Sequence, residues 1–519
     1  SNKPFAVMAK DISAIQNYCF VNPDESALLQ SAAAPIVLLK KKADCAIPEA
    51  VAPAQNNLGF IIPYTPLHVL LFEMLSPEIE VLVMTSANFS EEPIVFGDSK
   101  KDLELLEQLS DNILTHDRPI ITRIDDSVAR IDQENRLIMI RRARGYAPDP
   151  ILVRQHMRQL LATGPELKNT FCLTRGNYAF VSHHIGDMEN VETFQAYQQE
   201  IEHYKTIFRV VPEGIACDLH PNYLSTIYAE KLSNETGLPL IRVQHHYAHI
   251  ASVLGENHQF GSESAIGLAF DGTGYGTDGF IWGGEALLCN HQGFDRIFHL
   301  DNFLLPGGDT AIRKPYRQAL AVLSANDFSW EDSFQPLSAI SDREKELLKI
   351  QLEHRINCVD TSSMGRLFDA VSSLLGICQV ISYEGQAAIE LENVCDPFCK
   401  EFYPFHILED RILLKPVIGN ILDDLQQGIP KSIISAKFHQ GIIKLCLEIC
   451  DRIRETANMD VSVALSGGVW QNQTLLCGVR ELLQKNRFTV LLPKQLPYND
   501  GCISYGQAII ANEVMNRMG

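Results

Sequence analysis

The sequence predicts an α/β protein in two parts, a mixed α/β domain over residues 1–150 and a larger α/β body over 151–519. Three observations predict it. Short runs rich in Val, Ile and Leu alternate with segments of helical periodicity, which argues for layered sheets and helices rather than a barrel of hairpins. Gly145-Tyr146-Ala147-Pro148-Asp149-Pro150 reads as a linker by its Gly and Pro content. Two of the later strands run straight into glycine-rich segments, Asp271-Gly272-Thr273-Gly274-Tyr275-Gly276 and Ser466-Gly467-Gly468.

In the first part, 34–40 is a continuous apolar strand followed by a lysine run. Residues 66–75 form a helix, because Leu67, Leu70, Leu71 and Met74 recur at helical spacing behind Pro66. Strands follow at 80–84, ending in Thr85-Ser86-Ala87-Asn88, and at 137–142. In the second part, 171–173 and 178–182 read as a hairpin around Arg175-Gly176-Asn177. Helix 194–208, strand 214–218, helix 222–232 and strand 238–243 come next, with a helix at His245 directly after. Strand 265–270 enters the Asp271 turn. Helices span 362–377 and 436–457, strand 461–465 enters Ser466-Gly467-Gly468, and helix 469–484 follows. Strand 489–492 and helix 501–512 close the chain.

At 519 residues the chain is too long for one core. Its 46% hydrophobic and 21% charged residues are ordinary globular composition. The net charge of −20 excludes wholesale nucleic-acid binding but not a local basic pocket, for which Lys3, Arg123, Arg141, Arg142 and Arg144 are candidates. No apolar run reaches bilayer length and no signal-peptide pattern opens the chain, so no membrane partner and a cytoplasmic location are expected. The 13 cysteines contain no C-x-x-C pair, as suits a reducing compartment. Cys446 and Cys450, four apart in an apolar helical run, read as buried thiols.

Gln244-His245-His246-Tyr247-Ala248-His249 is the most informative segment. On a helix, side chains at i and i+4 share one face about 6 Å apart, so His245 and His249 can grip one metal ion. Carboxylates from Asp271 and Asp500 would complete a mixed N/O site suited to zinc or iron, although core histidines are the other reading. Alternate glycines let backbone N–H groups approach phosphate oxygens, while a tight hairpin turn is the alternative for the Asp271 segment. Ser466-Gly467-Gly468 places backbone donors at a helix start. Two such strand-then-glycine motifs facing one cleft are the pattern of actin-like ATPase folds. Thr85, Ser86 and Asn88 can bind phosphate or a carbonyl, or simply cap a turn. Arg118, in His116-Asp117-Arg118-Pro119, and Arg123 can clamp an anion or join a local ion-pair network.

Lys3-Pro4-Phe5-Ala6-Val7-Met8, Pro63-Tyr64-Thr65-Pro66-Leu67-His68, Thr85-Ser86-Ala87-Asn88 and Arg123-Ile124-Asp125-Asp126-Ser127-Val128 resemble the YrdC-like domain of the HypF carbamoyltransferase family of hydrogenase maturation. Lys168-Asn169-Thr170-Phe171-Cys172, His184-Ile185-Gly186-Asp187, Cys217-Asp218-Leu219-His220-Pro221, the His245 segment and the Asp271 segment resemble its Kae-like domain. So do Ser466-Gly467-Gly468-Val469-Trp470-Gln471-Asn472 and Asn499-Asp500-Gly501. The resemblance implies a YrdC-like α/β domain (1–150) that forms carbamoyl-adenylate, then a two-lobed actin/Hsp70-like (ASKHA) Kae-type domain (151–519) that transfers the carbamoyl group. It implies ATP, Mg2+ and a divalent metal (iron or zinc) as cofactors. The carbamoyl donor would be carbamate derived from carbamoyl phosphate, and the acceptor the C-terminal cysteine of a HypE-type partner, as precursor of the cyanide ligand. By the same resemblance Lys3, Ser86, Asn88 and Arg123 are catalytic, and His245, His249, Asp271 and Asp500 hold the metal. Thr85, Arg142, Gly272, Thr273, Gly274, Gly365, Asp369, Gly467, Gly468 and Asn472 contact nucleotide.

Two departures stand out. Members of the family are longer, with an acylphosphatase-like domain and a cysteine-rich zinc-finger region that this sequence does not contain, so the first step from carbamoyl phosphate is expected outside it. Tyr247 stands where relatives often carry a third consecutive His. An O-carbamoyltransferase acting on a small-molecule hydroxyl, threonylcarbamoyl transfer to tRNA and a non-catalytic ATP-binding scaffold are the rival functions. The oligomeric state is open, a homodimer included.

Overall fold

The computed structural model describes residues 2–88, 94–95, 100–114, 118, 120–261, 263–457 and 462–518. The chain forms two compact units, Pro4–Val243 with Lys494–Gly519, and Ser1–Lys3 with Gln244–Pro493.

The first unit holds two sheets. Strands β1 (Ala6–Ala9), β2 (Ile36–Lys40), β3 (Asn57–Ile61), β4 (Val81–Met84), β5 (Val128–Ile131) and β6 (Leu137–Arg141) make a mixed sheet of order β4-β1-β3-β2-β5-β6. Val7, Ala9, Val37, Leu39, Leu58 and Phe60 bury one face of it against the short helices that follow β1, as the alternation of these strands requires. The Pro66–Met74 helix forms where expected, started by Pro66 behind a Thr65 cap. The second sheet, β11-β10-β8-β9-β7, uses β7 (Ile151–Met157), β8 (Leu160–Ala162), β9 (Cys172–Val181), β10 (Gly214–Asp218) and β11 (Leu240–Val243). The closing Ile503–Met518 helix packs on this sheet, with Gln507 accepting from the Gly164 N–H and Asn512 from the Arg158 N–H.

One expected element is overturned. Residues 171–182 are not a hairpin, because β9 runs unbroken through Arg175-Gly176-Asn177. Gly176 takes φ +61°, yet its partner is Met157 of β7. The glycine relieves an irregular register within one long strand instead of reversing the chain.

The second unit is built on nine strands: β12 (Ala265–Tyr275), β13 (Ile281–Asn290), β14 (Gly293–Leu300), β15 (Phe303–Pro306), β16 (Cys358–Thr361), β17 (His406–Leu408), β18 (Arg411–Leu413), β19 (Val463–Ser466) and β20 (Val490–Leu491). Its main path runs β17-β18-β14-β13-β12-β19-β20. The His245–Glu256 helix lies against β12, β13 and β19, and all twelve of its residues are buried. The Lys431–Ala457 helix buries Cys446 and Cys450 completely. No helix among the described residues is long and apolar enough to cross a membrane.

Two buried histidines set an acid limit, His183 in the first unit and His439 in the second. Burial lowers each to about 4. The unfolded chain protonates such rings near 6.5, so unfolding takes up protons as pH falls below that value, and stability is complete above 6.5 and drains away toward 4. Each ring accounts for up to about 3 kcal/mol of that loss. Urea unfolding at pH 7.5, 5.5 and 4.5 is expected to show this decline, and His439→Gln to flatten it.

Candidate active site

Strand β12 does not stop at Phe270. It continues through Asp271-Gly272-Thr273-Gly274 to Tyr275 with a register shift between Phe270 and Gly274, and the reversal comes later, where the Gly276 N–H donates to the Phe280 carbonyl. The expected glycine turn is therefore a bulge inside a strand, a common device for re-aiming a side chain.

What it aims is Asp271. Oδ1 accepts the Gly468 N–H at 2.9 Å, which anchors the carboxylate to the segment after β19. Oδ2 lies 3.6 Å from His245 Nε2 and 3.4 Å from His249 Nε2. The two rings are fully buried and stand on the same face of their helix, as the i,i+4 spacing requires. His249 is oriented through Nδ1, 3.0 Å from the Ser466 hydroxyl. Burial alone would raise the Asp271 carboxyl, but the facing His245 and His249 rings outweigh it and hold the group well below the usual range. An ionised carboxylate and two imidazole nitrogens within 4.8 Å of one another are a donor set for zinc or ferrous iron. Asp500 is buried in the first unit at the head of the closing helix, in a turn where Asn499 caps the Gly501 N–H.

The glycines serve geometry more than exposure. A Cβ on Gly274 would sit 2.4 Å from His246 Cε1 and 2.7 Å from His245 Cδ2, so its bareness is used by the histidine rings. Gly467 has φ +111° and a Cβ there would lie 2.2 Å from the Phe270 carbonyl oxygen, which leaves glycine as the fitting residue. The Gly468 N–H is spent on Asp271. A Cβ on Gly365 would lie 2.9 Å from Gly272 Cα, so two glycines let the start of the Met364–Leu374 helix touch the bulged strand. Ser363 latches that approach, accepting the Arg366 N–H and reaching the carbonyls of Asp271 and Gly272 at 2.9 and 2.8 Å. Thr273 is half-buried between these glycines. One turn into the helix Asp369 is buried, its carboxyl pushed up to about 6 by burial and drawn back by Arg366.

Other expected nucleotide contacts have structural work. Asn472 caps the Gln473–Lys485 helix through Oδ1 and hydrogen-bonds His439 Nε2 at 2.9 Å. That helix starts later than expected, after a 3-10 turn at Gly468–Gln471. Arg142 is corrected outright: its guanidinium is buried and donates to the carbonyls of Val181, Tyr146 and Asp149 at 3.0, 2.8 and 2.7 Å, stapling the linker to β9. Tyr247, where relatives often carry a third consecutive His, donates its hydroxyl to the Asn290 carbonyl.

In the first unit Thr85 and Ser86 are exposed at the end of β4, and Ser86 hydrogen-bonds Asn88. Arg123 is half-buried, lowered by burial and countered by Asp125 and Glu200. Lys3 is exposed and groups with the second unit. Phe89, Ser90, His116, Asp117 and Pro119 lie outside the described residues. Sequence reasoning missed Ser466 and Ser363 as positioning groups, and the only signal for either was its place beside a glycine motif.

The chain matches three family models: Telomere recombination (Sua5, YciO and YrdC) over residues 1–143, the HypF Kae1-like domain over 155–256, and the second subdomain of the carbamoyltransferase Kae1-like domain over 267–507. It is 39% identical to Carbamoyltransferase HypF of Synechocystis sp., over 98% of this chain and 67% of that one. The chain belongs to the carbamoyltransferase HypF family. The probable carbamoyltransferase HypF of Methanocaldococcus jannaschii is 35% identical over 98% of this chain and 66% of its own length. A crystal structure of full-length HypF in the phosphate- and nucleotide-bound form superposes with a TM-score of 0.92 at 44% identity, covering 99% of this chain and 66% of that one. The chain thus spans about two thirds of the length of these HypF proteins. The expected fold, a YrdC-like α/β domain followed by a Kae-type domain in two subdomains, is the family's.

Two substitutions test the geometry. Ser466→Ala should weaken zinc retention roughly 10- to 100-fold against a competing chelator, because His249 loses the partner that orients it. Gly274→Ala should lower the same retention and destabilise the fold by roughly 1–3 kcal/mol, since the new methyl displaces the His245 and His246 rings.

Proposed function

We propose that this chain is an ATP-dependent carbamoyltransferase of nickel–iron hydrogenase maturation. It would form carbamoyl-AMP from carbamate that originates in carbamoyl phosphate, and pass the carbamoyl group to the C-terminal cysteine of a HypE-type partner. The observation that carries this reading is the His245–His249–Asp271 cluster on a bulged glycine strand, in a chain that shares the carbamoyltransferase HypF family over almost its whole length. Nucleotide binding is supported by the phosphate- and nucleotide-bound form of a 44% identical HypF.

Carbamate is a poor electrophile, and adenylation gives its carbonyl carbon a phosphate leaving group. In the YrdC-like domain, Ser86 and Asn88 at the strand end, with Thr85 and Arg123, would orient carbamate against the ATP phosphates, and Mg2+ would accompany the nucleotide. In the Kae-like domain, His245, His249 and Asp271 would hold a divalent metal. Such a metal supplies Lewis acidity and a template for the adenylate. Burial of both histidines keeps water from their ring nitrogens, and Ser466 holds His249 in the ligating orientation. The partner's thiol attacks the carbamoyl carbon, the C–O bond to phosphate breaks, AMP takes the electron pair, and the thiol proton goes to solvent. The nucleophile is the partner's, so none of this chain's cysteines is required.

The test is the mass of the partner. This chain, incubated with supplied carbamoyl-adenylate and a HypE-type protein, is expected to add one carboxamide to the partner's terminal cysteine, and His249→Ala to abolish the addition. Addition from ATP and carbamate should be lost in Ser86→Ala while transfer from supplied adenylate persists. An unmodified partner under every condition would sink the proposal.

A further inference from the structure

A cavity of about 540 Å³ opens on the first unit, at the end of its second sheet where β8 and β10 begin. Those strands are parallel, so Arg158 and Gln159 before β8 lie beside Glu213 before β10. Met157 of β7 and the paired Arg175-Gly176 of β9 form another wall, and Asn516 of the closing Ile503–Met518 helix lines it too. Asp500, the metal ligand expected from the sequence, stands at the head of that helix. Asn516 is near its tail, roughly 20 Å further along the axis.

Two guanidinium groups line this space, each already oriented. Arg158 Nε donates to Asn516 Oδ1 at 3.0 Å, and Nη1 lies 3.8 Å from the Glu213 carboxylate. Arg175 spends Nη1 on the carbonyls of Phe208 and Arg209, at 3.1 and 3.3 Å, where the Val191–Phe208 helix ends. Among the described residues, Arg158 Nη2 and the Nε and Nη2 of Arg175 make no hydrogen bond. The wall behind them is fixed as well, because Gln159 accepts the Val211 N–H through its side chain and the Glu213 N–H through its carbonyl. Gly176 adds room: a Cβ there would meet no atom within 4 Å.

An arginine held along one edge loses less conformational freedom when its other edge takes a ligand. The chain carries a net charge of −20, yet here two guanidiniums and the His156 ring surround a single carboxylate. A carboxylate ligand is satisfied by one arginine fork, whereas the oxygens and double charge of a phosphate suit two. The volume is that of a small-molecule site and exceeds what a bare phosphate fills.

We propose that this cavity binds a small phosphate monoester. Arg158 and Arg175 donate to the phosphate oxygens, and the organic group lies over Gly176. The ligand bridges β9, the segments that lead into β8 and β10 and the tail of the closing helix, so its binding stabilises this unit by mass action. The site is independent of the carbamoyl-transfer reading and stands or falls without it.

Hydrogen–deuterium exchange on the full chain tests this, with sn-glycerol 3-phosphate, inorganic phosphate and acetate compared at equal ionic strength. Glycerol phosphate should slow exchange in 154–160, 174–178 and 208–214 at concentrations where acetate does not. Arg158→Gln and Arg175→Gln should each raise the concentration needed roughly 10-fold, at an unaltered thermal midpoint of the free protein. Gly176→Asp is the second route, since Asp accepts the φ of +61° better than most residues and sets a carboxylate in the cavity. It should abolish the protection with both arginines in place. Protection confined to other segments, protection by acetate to the same degree, or protection that persists in the folded variants overturns the proposal. Equal protection by inorganic phosphate keeps the phosphate contact and overturns the place of the organic group over Gly176.

Discussion

The site in the second unit hangs on one carboxylate held from two sides. Asp271 is pulled by the Gly468 N–H through one oxygen and set against the His245 and His249 rings through the other. Those contacts tie β12 and the His245–Glu256 helix that precedes it to the segment after β19, 197 residues beyond Asp271 in sequence. The bulge in β12 makes the arrangement possible, because a regular strand would alternate Asp271 away from one of its partners. Gly467 and Gly274 follow as requirements, one for its backbone angle and the other for the room its missing side chain leaves.

A second consequence is how closely the Met364–Leu374 helix reaches the strand. With Gly365 against Gly272 and Ser363 bonded to two strand carbonyls, the first turn of that helix is delivered to the same bulge that aims Asp271. The Asp271 carboxylate and the Arg366 guanidinium thus share one short stretch of backbone.

The first unit distributes its charged groups differently. Arg142 and Arg144, two of the basic residues clustered in sequence, are consumed by backbone carbonyls, and Arg144 also pairs with Asp126 and lies 3.5 Å over the Tyr64 ring. What looks like a basic pocket in the sequence is in large part a set of staples. Arg123, Ser86 and Asn88 are the groups still suited to handling an anion.

The sequence by itself determined what depends on short-range spacing. The i,i+4 histidines on one helical face, the helix started at Pro66, the strand at 214–218 and the buried Cys446–Cys450 pair were all legible, because periodicity and capping act over a few residues. Tertiary structure decided where the donors go. Gly176 looked like a turn, but β8 was available to pair with the residues before it and β7 with the glycine and the residues after it. Asp271 looked like the start of a turn and became a bulge through pairing with β13 and β19. Arg142 and Arg366 are alike as letters, and only long-range folding surrounded one with carbonyls and left the other facing a bare glycine. A guanidinium's role depends on which acceptors the fold brings within about 3 Å, and local spacing does not contain that information.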